Sequence, residues 1–290
     1  MKIVKIIGGL GNQMFQFALF TALKNKYPNE VILTDSSYFK TYKVHNGLEL
    51  QKVFGISLPQ ASFKQLLKVT YPSNSYKLSR FFRKFIKKRK SECIEYPDYT
   101  FNHNVFTEGS KYYDGYWQNF KYFEEVSNQL KDIFQFKLTL NSRSNFLLSE
   151  LGNLNNSVSI HVRRGDYLQA PNYAGLCGLE YYSKAITYIK NKIDNPQFYI
   201  FSDDINWCKN NIEPLLNTNK ITFVDWNKGE ESALDMLLMS KCNNNIIANS
   251  SFSWWAAFLN TYENKIVCAP EKWTNTKVNC KFQLPSWKLF

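Results

Sequence analysis

The chain has no C-x-x-C pair and no D-x-D triplet. Its three histidines (His45, His103, His161) lie scattered through 290 residues. The six cysteines, Cys93, Cys177, Cys208, Cys242, Cys268 and Cys280, stand singly, so no zinc site with closely spaced ligands is expected. Several sit in apolar segments, which suits buried thiols in a reducing compartment. Without D-x-D, the chain lacks the spacing by which a nucleotide is commonly held through a divalent cation. No apolar run reaches the roughly 18 residues of a membrane span. Lys5 and the glycines Gly8, Gly9 and Gly11 break the first apolar run, and no cleavage signature follows, which argues against a secretory signal. A cytoplasmic protein, peripheral to the membrane at most, is expected. No internal repeat of fixed period is present.

What the chain does have is positive charge and aromatic side chains. Its formal net charge of +12 suits an anionic partner: a nucleotide donor, an anionic membrane surface or nucleic acid. Nucleic acid is not expected, because no reading motif accompanies the charge. Much of the excess lies in residues 80–90, where Phe81, Phe82, Phe85 and Ile86 fall at helical spacing among basic residues. That segment reads either as a solvated helix with one packed face or as a dock on an anionic leaflet. Aromatics at 17% serve either rich cores or surfaces that stack on sugars and bases.

Strands alternating with helices make the chain α/β. The first half opens with a strand over Lys2 to Ile7, a glycine turn, an amphipathic helix over Asn12 to Lys26 and a strand over Val31 to Thr34. In the second half, apolar runs begin at Val158, Phe198, Ile221, Ile246 and Ile266. Helical patterns cover Leu179 to Lys192, Asn206 to Leu216, Glu230 to Cys242 and Phe252 to Leu259. This is the signature of a parallel, doubly wound sheet. The polar stretch Leu138 to Asn156 reads as a linker. Two Rossmann-like domains facing a cleft are expected, over residues 1–145 and 146–290, with ligands beyond the carboxyl ends of the strands.

Four motifs stand at such ends. Gly8-Gly9-Leu10-Gly11-Asn12-Gln13 is a turn that lets a ligand approach the backbone, or simply a tight turn. It is not a dinucleotide fingerprint, because its spacing is G-G-x-G. The amides of Asn12 and Gln13 suit a sugar hydroxyl or a helix cap. In His161-Val162-Arg163-Arg164-Gly165-Asp166, two guanidinium groups end a buried strand. Their planar donor forks match phosphate oxygens. Arg163 is the candidate for the phosphate, with Arg164 and Asp166 holding the loop; the alternative is a structural Arg–Asp pair. Asp203 and Asp204 follow the next strand and suit a ribose, a guanine edge or a helix cap. Asn249-Ser250-Ser251-Phe252-Ser253-Trp254-Trp255 opens a helix with three serines, where free amides and the helix dipole favour an anion.

Together with Gly115-Tyr116-Trp117-Gln118 and Asp235 to Cys242, these segments resemble the bacterial α-1,2-fucosyltransferases of glycosyltransferase family eleven, from residue 1 to about 270. The resemblance implies a GT-B architecture, with an acceptor-side first domain and a GDP-fucose-binding second domain. It also implies inverting, metal-independent transfer of L-fucose from GDP-β-L-fucose to O2 of a terminal galactose, on a free or lipid-linked glycan. The implied catalytic residues are Arg163, Asn12 and Asp166. Those at the donor are His161, Arg163, Arg164, Asp203, Asn249, Ser250, Ser251, Phe252 and Ser253; those at the acceptor are Asn12 and Gln13. Asp166 is the nearest acidic candidate for a general base and equally a partner for arginine. No motif matches residues 40–110, where acceptor specificity is expected to be set. Outside the resemblance, a dehydrogenase using the glycine turn and a basic scaffold binding membrane or nucleic acid are the competing classes.

Overall fold

The computed structural model describes residues 1–41, 45–71, 88–276 and 282–290. They form two α/β units divided between Lys137 and Leu138. This division falls ahead of the 145/146 boundary read from the sequence. The stretch read as a linker contains a helix of the second unit, Ser142–Gly152, capped by Asn141, whose Oδ1 accepts from the Ser144 N–H. Its polarity reflects a helix buried along one side only, through Ser144, Leu147 and Leu151.

The first unit holds strands β1 (Lys2–Lys5), β2 (Ile32–Asp35), β3 (Glu92–Ile94) and β4 (Lys111–Asp114). They pair in the order β2-β1-β4-β3, all parallel. Helix α1 (Leu10–Lys26) follows the glycine turn; α2 (Leu50–Phe54), α3 (Phe63–Val69) and α4 (Ser127–Ile133) complete the described helices of the unit. Helix α1 is not the amphipathic helix expected. Every residue from Gln13 to Leu23 is buried, because β1 and β2, α2 and the short helical turns at Phe120–Tyr122 and Glu124–Val126 surround it. Phe15 meets Phe123 edge-on at 5.8 Å, and Phe17 meets Phe134 at 5.7 Å.

The second unit holds β5 (Ser157–Val162), β6 (Gln197–Ser202), β7 (Ile221–Val224), β8 (Asn244–Ile246), β9 (Val267–Ala269) and β10 (Lys288–Leu289). Their order is β10-β9-β8-β5-β6-β7, again all parallel. Central β5 is buried along its whole length, as its apolar run required. Its helices are α5 (Ser142–Gly152), α6 (Leu179–Lys190), α7 (Ile205–Asn211), α8 (Glu213–Leu216), α9 (Ala233–Lys241) and α10 (Ser251–Leu259). The single helix expected over Asn206 to Leu216 is two short ones, because Pro214 cannot donate within a continuing helix and begins a new first turn instead.

Each sheet has one place where the strand order reverses. In the second unit the chain leaves β5 through β6 and β7, then returns to the other side of β5 as β8. In the first unit β2 and β4 flank β1 in the same way. At such a reversal, adjacent loops diverge and open a crevice beyond the carboxyl ends of the strands. Of the basic segment 80–90, residues 80–87 lie outside the described residues. No described helix is long and apolar enough to cross a membrane. The five described cysteines are free thiols, and burial pushes that of Cys208 up to about 11.

Candidate active site

The two chemical motifs of the second unit flank its strand reversal: the loop after β5 and the loop after β8 are neighbours. The Tyr167 hydroxyl ties them together by donating to the Asn249 carbonyl at 3.2 Å. On the β5 side, Arg163 Nη2 lies 2.6 Å from Asp166 Oδ1, and Nη1 lies 3.0 Å from Asp203 Oδ2. Arg164 faces differently. Its Nε lies 3.1 Å from Asp204 Oδ2, and its guanidinium stacks 4.1 Å from the Trp207 ring centre. Asp203 also accepts from the Arg164 N–H at 2.9 Å, which pins the turn. Gly165 is required beside it, since a Cβ there would come within 2.7 Å of Asp203 Oδ2.

Several roles suggested by the sequence change here. Asp166 is the partner of Arg163, the second of its two candidate roles. Asp203 is a second partner of the same guanidinium. Asp204 caps α7, its Oδ1 accepting from the Trp207 N–H at 3.1 Å. Arg163 remains about one-third exposed, so this cluster is an accessible charged site, not a buried ion pair. His161 is buried; desolvation, with Arg163 nearby, drives its imidazole down to about 3 and keeps it neutral. Its Nδ1 is buried with no hydrogen-bond partner among the described residues, and its ring stands 6.0 Å from that of Phe252.

On the β8 side, Ser250 caps α10, its Oγ accepting from the Phe252 N–H at 3.3 Å. Ser251 is half-buried at the first turn, beside the amides that the helix leaves without intrahelical partners. Ser253 and Asn249, both expected at the donor, turn inward. The Ser253 hydroxyl lies 3.4 Å from the Ser250 carbonyl and 3.5 Å from that of Ala248. Asn249 Nδ2 donates to the Trp273 carbonyl at 3.2 Å, and its Oδ1 accepts from the Cys177 thiol at 3.4 Å. Both residues are buried, and their polar atoms are already satisfied.

In the first unit, the glycine turn and the Gly115–Gln118 segment meet at the reversal between β1 and β4. Asn12 Oδ1 accepts from Gln118 Nε2 at 2.6 Å. Asn12 does not cap α1, because the cap position belongs to Gly9. Gln13, expected at the acceptor, is fully buried. Its Nε2 donates to the carbonyls of Gly8 and Gly47, each at 2.8 Å, and its Oε1 accepts from the Glu49 N–H at 2.9 Å. Gln13 therefore holds the turn and has no amide group left for a sugar. Gln16 does similar work, joining the Ile7 N–H at 2.9 Å to the Gly115 carbonyl at 3.0 Å. The buried Glu49 carboxyl lies beside the amino end of α1 and accepts from Asn46 Nδ2 at 3.2 Å. Burial holds the Glu49 carboxyl above the usual carboxylate range, while Asn46 and the Leu10 amide pull it back.

Sequence reasoning missed one carboxylate altogether. Glu95, just past β3, accepts from the Tyr116 N–H at 2.7 Å and the Gln118 N–H at 3.2 Å. Burial pushes its carboxyl up to about 7, against those hydrogen bonds. It lines a cavity of about 260 Å³ with Lys5, Ile7, Tyr96, Pro97, Tyr99, Asp114, Gly115 and Tyr116. Strand β3 has three residues and no alternating pattern, so only the nearby Gly115–Gln118 motif pointed to this region.

The model of "Glycosyl transferase family 11" matches residues 1–289. An α-1,2-colitosyltransferase of Escherichia coli is 36% identical, with 93% of this chain and 91% of that protein aligned. The O-antigen biosynthesis glycosyltransferase WbnK of E. coli is 32% identical, with 97% of each covered. A galactoside α-(1,2)-fucosyltransferase 1 of Oryctolagus cuniculus is 26% identical over 87% of this chain and 62% of its own. Among solved structures, the α-1,6-fucosyltransferase NodZ co-crystallized with GDP shares the fold, with a TM-score of 0.54, 15% identity and coverage of 89% and 91%. The two parallel sheets and the whole-length match agree, and the chain belongs to glycosyltransferase family 11.

Proposed function

We propose that this glycosyltransferase moves L-fucose from GDP-β-L-fucose to O2 of a terminal galactose, with inversion and without a metal ion. The observation that carries the reading is the pairing, at one strand reversal, of the Arg163–Arg164 turn with the amino end of α10. The acceptor oxygen attacks the anomeric carbon from the face opposite the diphosphate. The bond from that carbon to the phosphate oxygen breaks as the new glycosidic bond forms, and the proton of the acceptor hydroxyl passes to the departing diphosphate or to water. The transition state has oxocarbenium character, so the departing GDP gathers negative charge. Arg163 and the first-turn amides of α10 beside Ser250 and Ser251 are suited to receive it, each charge-assisted hydrogen bond contributing roughly 1.5–3 kcal/mol. Asn12, held by Gln118, orients the acceptor.

Glu49 weighs against the dehydrogenase reading, since it occupies the helix terminus that a dinucleotide pyrophosphate would need. The colitosyltransferase among the relatives supports a second reading, in which the donor sugar is colitose. Colitose is fucose without its 3-hydroxyl, so a site built to bond that hydroxyl rejects it strongly. Incubation with lactose and either GDP-fucose or GDP-colitose, followed by linkage determination, tests both. A 2-linked fucosyl product is expected; a preference for GDP-colitose replaces the donor, and no transfer from either refutes the reading.

A further inference from the structure

The cavity around Glu95 belongs to the first unit, whereas the proposed donor motifs belong to the second. It sits over the carboxyl ends of β1, β3 and β4, and three features describe what would fit it. The first is charge. Lys5 Nζ lies 3.0 Å from Asp114 Oδ1 and over the Tyr38 ring, so its charge is matched within the protein. Glu95 adds acceptor oxygens and no positive charge, so nothing there draws in a phosphate. The second is the wall. Tyr96, Tyr99 and Tyr116 line the cavity, and Tyr96 is 43% exposed at its rim. Aromatic faces beside carboxylates suit a ring with apolar C–H groups on one side and hydroxyl donors around its edge. The third is size. At about 260 Å³ the cavity falls below the ~300–1,000 Å³ of drug-sized clefts, room for one sugar ring.

The walls are also held at a cost. Tyr99 in the wall adopts φ +56° and Trp117, next to the lining residue Tyr116, φ +58°, left-handed conformations that cost non-glycine residues about 1–3 kcal/mol each and collect at functional sites. Asn119 Nδ2 holds the Tyr99 carbonyl at 3.1 Å. At Gly115 a Cβ would come within 2.4 Å of the Glu95 Cβ, so the carboxylate can reach this loop only because residue 115 has no side chain. Glu95 accepts from two backbone N–H groups, those of Tyr116 and Gln118, of the roughly four hydrogen bonds that its oxygens can accept. Accepting capacity therefore remains for a ligand.

We propose that this cavity binds a single neutral hexose ring of the acceptor glycan, with Tyr96 stacking on its apolar face and Glu95 accepting from a hydroxyl. The assignment rests on the glycosyl-transfer reading above. Saturation-transfer NMR with methyl β-galactoside reads binding without any donor, and steady-state transfer to lactose reads KM for each substrate. Wild type is expected to bind the galactoside. Tyr96→Ala and Glu95→Gln are expected to lose that signal and to raise the lactose KM at least tenfold, with the donor KM unchanged. Tyr96→Phe, which keeps the ring, is expected to retain binding. If transfer proceeds and neither Tyr96→Ala nor Glu95→Gln moves the lactose KM, the subsite is wrong and the transfer reading stands. If wild type binds the galactoside, Tyr96→Ala abolishes binding, and no nucleotide sugar is a donor, the subsite stands and the transfer reading falls.

Discussion

Gln13→Ala separates a structural glutamine from a substrate-binding one. The substitution removes three hydrogen bonds, to Gly8, Gly47 and Glu49, inside a fully buried site. At about 1 kcal/mol net per bond the loss is about 3 kcal/mol. The orphaned carbonyls and amide raise it further wherever water cannot reach them, since each unsatisfied buried group costs roughly 1–3 kcal/mol. A domain is stable by only about 5–15 kcal/mol, so the change is large. Urea unfolding followed by tryptophan fluorescence should show a midpoint lowered in proportion, with the slope unchanged. Gln13→Glu should be at least as damaging: its carboxylate still accepts from the Glu49 amide but sets an anionic oxygen against two carbonyls. The acceptor KM of whatever protein remains folded should stay near that of wild type. A Gln13→Ala protein of wild-type stability with a raised acceptor KM would refute the structural role and return Gln13 to the sugar.

Asp166→Asn should lower the donor KM by up to about fivefold, because an exposed ion pair worth roughly 0.2–1 kcal/mol no longer competes with the diphosphate for Arg163; a weakened donor, measured by calorimetry with GDP, contradicts this. Arg163→Ala should cut kcat at least a hundredfold, about 2.7 kcal/mol of transition-state stabilisation, with the acceptor KM little changed; activity within tenfold of wild type removes it from the leaving group. Asp235 accepts from Asn227 Nδ2 at 2.7 Å, and burial raises its carboxyl from 3.8 to about 7. Folding therefore favours the protonated acid, and stability present below pH 4 is lost as pH rises through 7, by roughly 4 kcal/mol at most. Asp235→Asn should flatten that part of the pH–stability curve; an unchanged slope between pH 4 and 7 would show that Asp235 does not titrate there. Gly115→Ala should destabilise the first unit by about 1–3 kcal/mol, since the Cβ must displace Glu95; an unshifted Tm would mean that the loop yields freely.

The second unit was legible because its inner strands β5, β8 and β9 are buried on both faces and its strands read as apolar runs. The expected starts at Val158, Phe198, Ile221, Ile246 and Ile266 fall within two residues of the observed ones. The turns after β5 and β8 were equally clear, because arginine and serine clusters at strand ends have few structural uses. What the sequence did not reveal was how polar side chains divide their bonds. Gln13 and Asn12 are neighbours of like chemistry, yet one is buried at the turn and the other faces Gln118. Ser250 and Ser253 differ in the same way, because three residues along a helix carry a side chain from the cap to the inner face. Strands β3 and β4 escaped notice because they are only three and four residues long, and β3 has a single buried position. Glu95 went unseen with them, since its meaning depends on a loop some twenty residues away.

The Glu49 carboxylate at the amino end of α1 has a consequence for how the first unit behaves in solution. A phosphate-binding turn that relies on its ligand is ordered only when nucleotide is present. Here the chain supplies a carboxyl of its own beside the turn, at an effective concentration that dilution cannot lower. The turn that presents Asn12 should therefore stay ordered whether or not a nucleotide is present. If the proposed donor site of the second unit is right, any ordering on nucleotide exchange should fall there and not at this turn.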